Sequence, residues 1–343
     1  MRIAVAVAAV VALSSGPVVA EEPVSLKVAY PGAPASTVNT LALAPWMKLV
    51  EADGAGTIEL KLFAGGAIGT YRNIYDRLLN GVTDIAYGLF GEYAGQFPKS
   101  DVVTLPFETR SSYESAVALW RLYASGLTAD EFAKVKVLGF GRYPYANIHA
   151  RRPVNGIADL KGMKMSAFSR VIGQMIENFG GTPVTMPVTE VYASLQRGLV
   201  DATVVAWTGV DTYKYYEVAK YHIEAPISAN SSFVFMNRDS YAKLTGKAKA
   251  ALDAHAGEPF AKLLGKMFDD SEDEARERVR AMPEHVIKQV PDVELAEWKA
   301  RVQPVVDEWV KNTPDGAKVL AAYRAEIVKI RAEPRASSSG AGK

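Results

Sequence analysis

The amino-acid sequence predicts an α/β fold that is organised as two lobes. Strand-like and helix-like segments alternate along the chain, and the alternation begins again at Val135 after a first run that ends near Tyr87. Units that alternate in this way are typical of a mainly parallel sheet covered by helices. A chain of 343 residues is long enough for two ordinary domains, so we expect two α/β lobes.

The first run contains strand and helix candidates in regular succession. Residues 57–63 alternate Ile58, Leu60 and Leu62 with polar neighbours, which is the period-two pattern of a strand. Residues 38–52 place apolar side chains on one stripe, which predicts a helix. The complete predicted order is strand 25–30, helix 38–52, strand 57–63, a glycine-rich turn at 65–69, helix 73–79 and strand 84–87.

The second run repeats this organisation. Glycine commonly ends a helix, and Gly180 and Gly198 follow two segments with helical periodicity. Strands are predicted at 135–141, 145–150, 163–167 and 202–206, and helices at 171–179 and 187–198. Residues 247–280 are rich in Ala and charge and contain one proline, Pro259, which predicts a long helical region. We interpret its charged stretch at 269–278 as a solvated helix face.

The amino-terminal residues indicate export, and the carboxyl-terminal residues predict a tail. Arg2 precedes an apolar run at 3–13, and small residues follow up to Ala20, which is the order of a secretory signal. A membrane anchor is the alternative, but the run is shorter than the ~20 residues that span a bilayer. We therefore expect a signal peptide at 1–20 and, without any cysteine, no lipid attachment. Residues 332–343 are small and polar and predict a disordered tail.

Charge and motifs argue against several classes of function. The net charge of +1 provides no basic excess for phosphates, so we expect no nucleic-acid partner. The four histidines lack metal-ligand spacing, and no serine lies in a G-x-S-x-G turn. The segment GGAIGT at 65–70 lacks the lysine of a phosphate loop. The sequence therefore predicts no enzyme, no metal site and no cofactor.

A long, spaced pattern between Ile157 and Trp207 carries a family resemblance. The chain reads IADLKGMKMSAFSR and then GGTPVTMPVTEVYASLQRGLVDA, in the order D-L-K-G-x-K followed by G-x-x-P-x-x-M-P-x-x-E-V-Y-x-x-L-Q-x-G-x-V-D. Further matching segments are FAGGAIGTYRNIYDRLLNGVTDIAYG, FPKSDVVTLPF, EVAKYHIE and FVFMN. Together they resemble the solute-binding subunits of tripartite ATP-independent periplasmic (TRAP) transporters, the DctP-like family, over nearly all of the mature chain.

The resemblance implies a type II-like periplasmic binding protein. Two α/β lobes, joined by crossing strands and a long lobe-spanning helix, would close over a small organic acid in the periplasm. The protein would deliver this ligand to the small and large permease subunits of a sodium-driven transporter, without inserting stably into the membrane itself. We expect lobe I to comprise 24–144 plus 234–275, and lobe II 145–233 plus 276–331. A sensory module that presents a ligand to a receptor kinase is the alternative.

A bound carboxylate calls for an arginine, because its planar, always-charged fork makes two charge-assisted hydrogen bonds. The resemblance places this arginine in the strand after D-L-K-G-x-K, where the chain has Ser166 instead. Arg170 follows four residues later, at the start of the next predicted helix, where backbone N–H groups also favour an anion. Arg170 is therefore the predicted anchor, and Arg142 is the second candidate. A surface position for Arg170 is the alternative.

The remaining pocket candidates are mostly aromatic. After Asp201 the family motif V-D-G-Q-E-N-P is replaced by an apolar stretch that ends in Trp207, which we expect to line the cleft or to lie in the core. Open α/β sheets bind ligands at strand ends. The other candidates lie at or near such ends, with a core position as the alternative for each: Tyr30, Tyr87, Phe90, Tyr93, Tyr145, Asn147, His149, Ser166, Phe168 and Phe233. An apolar cleft with one arginine favours an aromatic or other apolar monocarboxylate over a sugar acid.

Overall fold

The structure is a computed structural model, and it describes residues 22–334 apart from residues 94, 187 and 226. The predicted signal peptide at 1–20 and the tail from residue 335 onwards lie outside the described residues. The predicted tail at 332–343 overlaps a described element, because Ala332 ends a helix and Glu333 accepts a hydrogen bond from Arg121 (2.6 Å). Within the described part of the chain, no helix combines the length and apolar character needed to cross a membrane.

Strands and helices alternate as the sequence predicts. The strands of the described residues are β1 (Val24–Tyr30), β2 (Ile58–Ala64), β3 (Ile85–Leu89), β4 (Val135–Arg142), β5 (Asn147–Ala150), β6 (Lys164–Ala167), β7 (Thr182–Thr185), β8 (Ala202–Val205), β9 (Tyr221–Glu224), β10 (Ser231–Asn237) and β11 (Val286–Gln289). The α-helices are α1 (Ala44–Gly54), α2 (Ile74–Leu79), α3 (Ser112–Ala124), α4 (Arg170–Asn178), α5 (Val188–Arg197), α6 (Trp207–Thr212), α7 (Arg238–Ala242), α8 (Gly246–His255), α9 (Glu258–Arg280), α10 (Asp292–Asn312) and α11 (Gly316–Ala332). A π-helical segment, Val38–Leu43, leads into α1.

Lobe I is built on a five-stranded sheet in the order β2-β1-β3-β10-β4. Strand β1 pairs in parallel with both β2 and β3, and its buried Val28 pairs with Leu62 on one side and Ile85 on the other. Strand β10 runs antiparallel to both β3 and β4, so β4 is parallel to β3. The carboxyl ends of β1, β3 and β4 therefore meet at one edge of the sheet, and Arg142 ends β4 there.

Lobe II is built on a six-stranded sheet in the order β11-β9-β5-β8-β6-β7. The two strands that cross from lobe I, β5 and β9, are antiparallel neighbours near its centre. Helices α4 and α10 cover this sheet, and Trp298 of α10 is fully buried against Phe179, with ring centroids 5.0 Å apart. This packing fixes the carboxyl end of β8, from which Trp207 follows.

Four connections join the lobes: residues 143–146 after β4, the segment between β9 and β10, helix α9, and the end of α10 that leads into α11. The first half of α9 contributes Leu264 and Phe268 to the core of lobe I. Its second half contributes Ala275 and Val279 to a cluster with α5 and α6 of lobe II. Helix α9 is therefore the lobe-spanning helix that the resemblance implies.

The structure divides the chain differently from the predicted lobes in two places. Strand β10 belongs to the sheet of lobe I from Ser231 onwards, whereas the prediction began this part of lobe I at residue 234. Helix α11 was assigned to lobe II, but Val319 and Tyr323 pack in the core of lobe I, and the Tyr323 hydroxyl lies 2.5 Å from that of Ser115 in α3. The apolar stripe of α11 is matched by α3, which lies about 200 residues earlier in the chain.

The helical region predicted at 247–280 is two helices, α8 and α9. The break lies at Gly257, whose φ of +78° is a left-handed conformation that glycine adopts without steric cost. Pro259 occupies the first turn of α9, where its missing N–H has no helical partner to lose. Gly257 lies against Trp120 of α3, so the break sets the entry angle of the lobe-spanning helix.

Candidate functional site

A cavity of about 450 Å³ lies at the junction of the two lobes. Its walls come from the start of α3, from the crossing segment before β5, from the end of β9 and from the middle of α9. The lining residues are Thr109, Arg110, Ser111, Ser112, Pro144, Tyr145, Asn147, Trp207, Glu224, Ala225, Asp269, Glu272, Asp273, Arg276 and Gln289. Three of the predicted pocket residues, Tyr145, Asn147 and Trp207, therefore come together at this cavity.

Two carboxylates of α9 tie the lobes together at the cavity. Asp269 accepts hydrogen bonds from the backbone N–H groups of the first two residues of α3 (2.7 and 3.1 Å). Glu272, one helical turn later, accepts from the first two N–H groups of α6 (2.7 and 2.9 Å). Each carboxylate satisfies donors that have no partner within their own helix and favours the positive end of the helix dipole. One helix thus holds α3 of lobe I and α6 of lobe II.

Sequence reasoning missed these two carboxylates, because it interpreted the charged stretch of α9 as a solvated face. Burial raises the pKa of Glu272 to about 7 and raises the pKa of Asp269, which a solvated position does not do. Residues 269, 272 and 276 are spaced by three and four and therefore share one helix face. This face continues the apolar stripe of the first half of α9, which is the signal that could have identified them.

Arg142 is a buried cation without a hydrogen-bonding partner. The residue is 1% exposed, and none of its three guanidinium nitrogens has a hydrogen-bond acceptor among the described residues. Its guanidinium carbon lies 3.7 Å from the ring centroid of Tyr145, which lines the cavity. Its charge also lowers the pKa of Asp269, although burial outweighs this effect. The buried hydroxyl of Ser231, which pairs with Arg142 across the sheet, also has no partner in the described chain.

Tyr145 connects Arg142 to the cavity wall. Its hydroxyl accepts a hydrogen bond from the backbone N–H of Thr109 (2.9 Å) and lies close to the Thr109 carbonyl oxygen, to which it donates. The ring is therefore held between the crossing segment and the loop before α3. A guanidinium stacked on a phenol ring is favourable but leaves its in-plane N–H groups without acceptors.

Trp207 forms the wall of the cavity on the side of lobe II. The residue is 1% exposed, and its indole N–H donates to Glu224 Oε1 (3.0 Å). Its ring lies edge-on to His149, with centroids 4.7 Å apart. The sequence left open whether Trp207 lines the cleft or belongs to the core. The structure places it at the boundary of the two.

The other predicted pocket residues of lobe II lie within its sheet. Ser166, at the position where the family has an arginine, is fully buried and donates to the hydroxyl of Thr203 (2.6 Å). His149 is fully buried and bonds the carbonyl oxygen of Val205 (3.0 Å). Phe168 is half-buried and packs in the cluster that contains Trp207. None of these three contributes to the lining of the cavity at the lobe junction.

Two predicted tyrosines of lobe I belong to a buried group of phenols at the sheet edge. The Tyr87 hydroxyl lies 2.9 Å from that of Tyr143, and the Tyr30 hydroxyl lies 2.8 Å from Ser36 Oγ. Burial raises the pKa of Tyr30 and Tyr87, so both remain protonated at neutral pH. Their hydroxyl groups are engaged with neighbours at the carboxyl end of the sheet.

Three further candidates form part of the aromatic core of lobe I. Phe90 and Phe233 meet edge-to-face with centroids 5.3 Å apart, and each is at most 2% exposed. The Tyr93 hydroxyl accepts from the backbone of Tyr75 (2.9 Å) and donates to that of Tyr71 (2.7 Å). The core interpretation, which the sequence left open for these residues, matches their positions.

The position of Arg170 does not support its predicted role as the carboxylate anchor. Its side chain is 81% exposed at the start of α4, and its guanidinium pairs with Glu308 of α10 (3.0 Å). An exposed arginine that is already paired contributes little to anion capture. Arg142, the second candidate, has the burial and the unpaired donors that such a role requires.

Comparison with known proteins identifies the family. A family model described as "bacterial extracellular solute-binding protein, family 7" (DctP) matches residues 31–312. The chain belongs to this family. The predicted resemblance to the DctP-like family is therefore confirmed, and the family consists of solute-binding proteins rather than enzymes.

Relatives of this family-7 protein share its length and fold. It is 28% identical over 311 residues to the outer membrane transporter protein TsaT of Comamonas testosteroni, which covers 87% of this chain and 90% of the relative. A TRAP solute-binding protein of Rhodoferax ferrireducens, solved with copurified benzoate, is 27% identical with a TM-score of 0.82, covering 90% of this chain and 99% of that one. A TRAP solute-binding protein from a marine metagenome, specific for aromatic acids and solved with 3-hydroxybenzoate, is 29% identical with a TM-score of 0.82 over the same shares.

These similarities confirm the predicted two-lobed α/β fold and the role of this family-7 protein as a TRAP solute-binding protein. Proteins of this kind bind small organic acids outside the cytoplasm and work with membrane permease subunits. The cavity at the lobe junction, with the buried Arg142 stacked on Tyr145 of its wall, is consistent with that work.

Proposed function

We propose that this protein captures an aromatic monocarboxylate between its lobes, with Arg142 as the carboxylate anchor. The observation that carries the proposal is the buried guanidinium of Arg142, whose N–H groups have no acceptor in the described chain. Leaving a buried charge without a partner is costly, and a bound anion removes that cost. A ligand carboxylate accepts two parallel N–H bonds from such a fork.

The aromatic character of the ligand is supported by the surroundings of this anchor. Tyr145 packs on the guanidinium, and Trp207 lines the same cavity from lobe II. Planar rings pack favourably against such side chains in offset or edge-on arrangements. Two similar TRAP solute-binding proteins contain benzoate and 3-hydroxybenzoate, which are ligands of this shape.

The acidic groups of the cavity favour one carboxylate over two. Glu224, Asp269, Glu272 and Asp273 all line it, and the first three already accept hydrogen bonds from protein donors. Arg110 and Arg276 also line the cavity, but the four acidic side chains outnumber them, so a second ligand carboxylate would meet an excess of like charge. Like charges at short distance in a partly buried site disfavour such a ligand.

The remaining steps follow from the architecture. Four connections join the lobes, and ligands of two-lobed proteins are enclosed by hinge closure. We propose that the closed form delivers the acid to the small and large permease subunits of a sodium-driven TRAP transporter in the periplasm. The match to two TRAP solute-binding proteins, which covers 90% of this chain and 99% of each of them, supports this partnership.

Calorimetry with benzoate on the mature protein tests the proposal. We expect the wild type to bind benzoate, and Arg142→Met to weaken binding about a hundredfold, because two charge-assisted hydrogen bonds are lost. Arg170→Ala is the matched control, and it should leave the affinity unchanged because its side chain is exposed and paired with Glu308. Unchanged affinity in Arg142→Met would assign the anchor to another residue, and a wild type that binds sugar acids but no aromatic acid would refute the ligand class.

A further inference from the structure

Three of the four histidines form a continuous hydrogen-bonded series behind Trp207. His149 Nδ1 lies 2.8 Å from His222 Nδ1, and His222 Nε2 lies 2.8 Å from His285 Nδ1. The side chains of all three are covered from solvent. The register of the lobe II sheet creates the series, because His149 of β5 pairs directly with His222 of β9. The residues are far apart in sequence, so their spacing gave no indication of it.

The two ends of the series determine which nitrogen carries each proton. At one end His149 Nε2 lies 3.0 Å from the carbonyl oxygen of Val205, which can only accept. At the other end His285 Nε2 lies 3.3 Å from the ammonium of Lys220, which can only donate. His149 must therefore carry its proton on Nε2, and His222 and His285 must carry theirs on Nδ1. Every contact in the series then has one donor and one acceptor.

This arrangement has no position for an additional proton. A proton on His149 Nδ1 or His222 Nε2 would point at the N–H of the next ring across 2.8 Å. A proton on His285 Nε2 would point at the Lys220 ammonium. The lowered pKa values of His149 (about 3) and His222 (about 2), which burial causes, agree with this geometry.

The charged groups around the series lie at its outer end. Lys220 also contacts Glu284 (3.2 Å), whose carboxylate is 3.8 Å from His285 Nε2. Glu224 and Arg280 line a second cavity of about 390 Å³ beside His285. At the inner end the neighbouring strand presents the neutral Thr203, and α6 presents the indole of Trp207. No described charged side chain bonds His149 or His222.

The series supports the wall of the ligand cavity. The Trp207 ring lies 4.7 Å from the His149 ring and 4.8 Å from the His222 ring, centroid to centroid. Its indole N–H is fixed by Glu224 on β9, the same strand that carries His222. The indole is thus held by β5 through His149 and by β9 through His222 and Glu224, and the residue lines the cavity.

We infer that His149, His222 and His285 form a chain of hydrogen bonds, called the histidine relay below, in which every ring donates in the same direction and no additional proton is taken up. This relay positions Trp207 in the wall of the ligand cavity. The three are positioning residues, since they act on the ligand through the indole. The assignment of ligand contact to Trp207 rests on the proposed function, whereas the relay itself is a property of the free protein. Its consequence is that the three histidines add no pH dependence to the binding wall around neutrality. The group that contacts Trp207 and titrates there is Glu272, which accepts from its backbone N–H and has a pKa of about 7.

Nitrogen NMR of the imidazole rings in the free protein tests the relay without any ligand. We expect His149 to be protonated on Nε2, and His222 and His285 on Nδ1, at about pH 8 and unchanged at about pH 5.5. His255 is the matched control, because it lies outside the series and bonds the surface carboxylate of Asp53 (2.7 Å). A different tautomer at any of the three rings, or a cationic His149 or His222 at the lower pH, would overturn the inference.

Calorimetry with benzoate then tests the effect on the cavity. His222→Leu breaks the series on both sides and leaves His149 Nδ1 free to take a proton. We expect its affinity to fall about tenfold, the equivalent of one lost hydrogen bond, and to fall more than that of the wild type between about pH 7.5 and pH 5.5. The wild type and His255→Ala should show the same change in affinity between the two pH values, because Glu272, with a pKa of about 7, lines the cavity in both. An affinity in His222→Leu that changes with pH only as much as in the wild type contradicts the positioning role, and a wild type without benzoate affinity refutes the proposed function while leaving the NMR result intact.

Discussion

At the scale of single residues, burial decides which charges are available for function. Arg142 and Arg170 are chemically identical, yet one is 1% exposed without an acceptor and the other is paired on the surface. The side chains that surround Arg142 include Tyr145 and Asp269, which come from the crossing segment and from α9. A buried guanidinium without an acceptor carries an energetic cost in the ligand-free protein.

This cost predicts the stability of an Arg142 variant. Arg142→Met replaces an unpaired buried cation by an apolar side chain of similar length, so the free energy of unfolding of the ligand-free protein should rise by about 1–3 kcal/mol. Urea unfolding of the free protein measures the change. Arg142→Lys, which keeps a buried charge, is the control and should show no gain. A destabilised Arg142→Met would mean that the guanidinium has a structural role instead.

The sequence predicted the kinds of residue in the site better than their positions. An arginine and a tryptophan were expected, and Tyr145, Asn147 and Trp207 do line the cavity. The choice between Arg142 and Arg170 depends on packing among α3, α9 and α11, which are far apart in the chain, and no local pattern contains that information. The histidine series was missed for the same reason, since strand order in the sheet brings its members together.

At the scale of elements, helix breaks set the geometry of the lobe connection. The strands of the first run lie within two residues of their predicted bounds, because alternation is a local signal. The break between α8 and α9 was not predicted, since one glycine in an Ala-rich, charged stretch does not interrupt helical periodicity. The insertion of β10 between β3 and β4 is likewise a choice of partner strands that periodicity does not encode.

Because of this break, we expect a substitution at Gly257 to destabilise the protein. A side chain there meets two penalties, because φ is +78° and a Cβ atom would lie 2.6 Å from Cζ2 of Trp120. We expect Gly257→Ala to lower the free energy of unfolding by about 2–4 kcal/mol, measured by urea unfolding. Gly126→Ala is the matched control, because φ there is +89° with no atom within 4 Å of the added Cβ, so only the backbone penalty of about 1 kcal/mol applies. Equal losses in the two variants would show that α9 adjusts its entry angle freely.

At the scale of the whole molecule, buried histidines and buried acids have opposite effects on acid stability. The pKa values of His149 and His222 are lowered from 6.5 to about 3 and about 2, so below pH 6.5 the unfolded chain binds protons that the native protein excludes. Stability from these groups is lost as the pH falls. Burial raises the pKa values of Asp101 and Glu272 to about 7, so the native protein binds protons that the unfolded chain accepts only near pH 4. Their contribution increases as the pH falls from 7.

Between about pH 6.5 and pH 4.5 the two histidines take up two protons on unfolding, whereas the two acids release two. The effects of the two pairs on the free energy of unfolding therefore offset each other in this range. We expect these four groups to add almost no net pH dependence to the free energy of unfolding over this range, and the lowered pKa of His285 opposes the raised pKa values of Asp269 and Glu131. Below it the acids are protonated in both states, so the histidines dominate and stability decreases steeply. Urea unfolding at several pH values measures the profile.

Glu272→Gln should tilt this profile, because it removes one of the two compensating acids and leaves both histidines. Stability should then decrease with falling pH from about 6.5 onwards, by at most ~1.4 kcal/mol per pH unit, since one proton is no longer balanced. Glu297→Gln, on the exposed side of α10, is the matched control and should keep the wild-type profile. A flat profile in Glu272→Gln would show that this carboxylate is ionised in the native protein across the range, and the constancy of the wild type would then need another source.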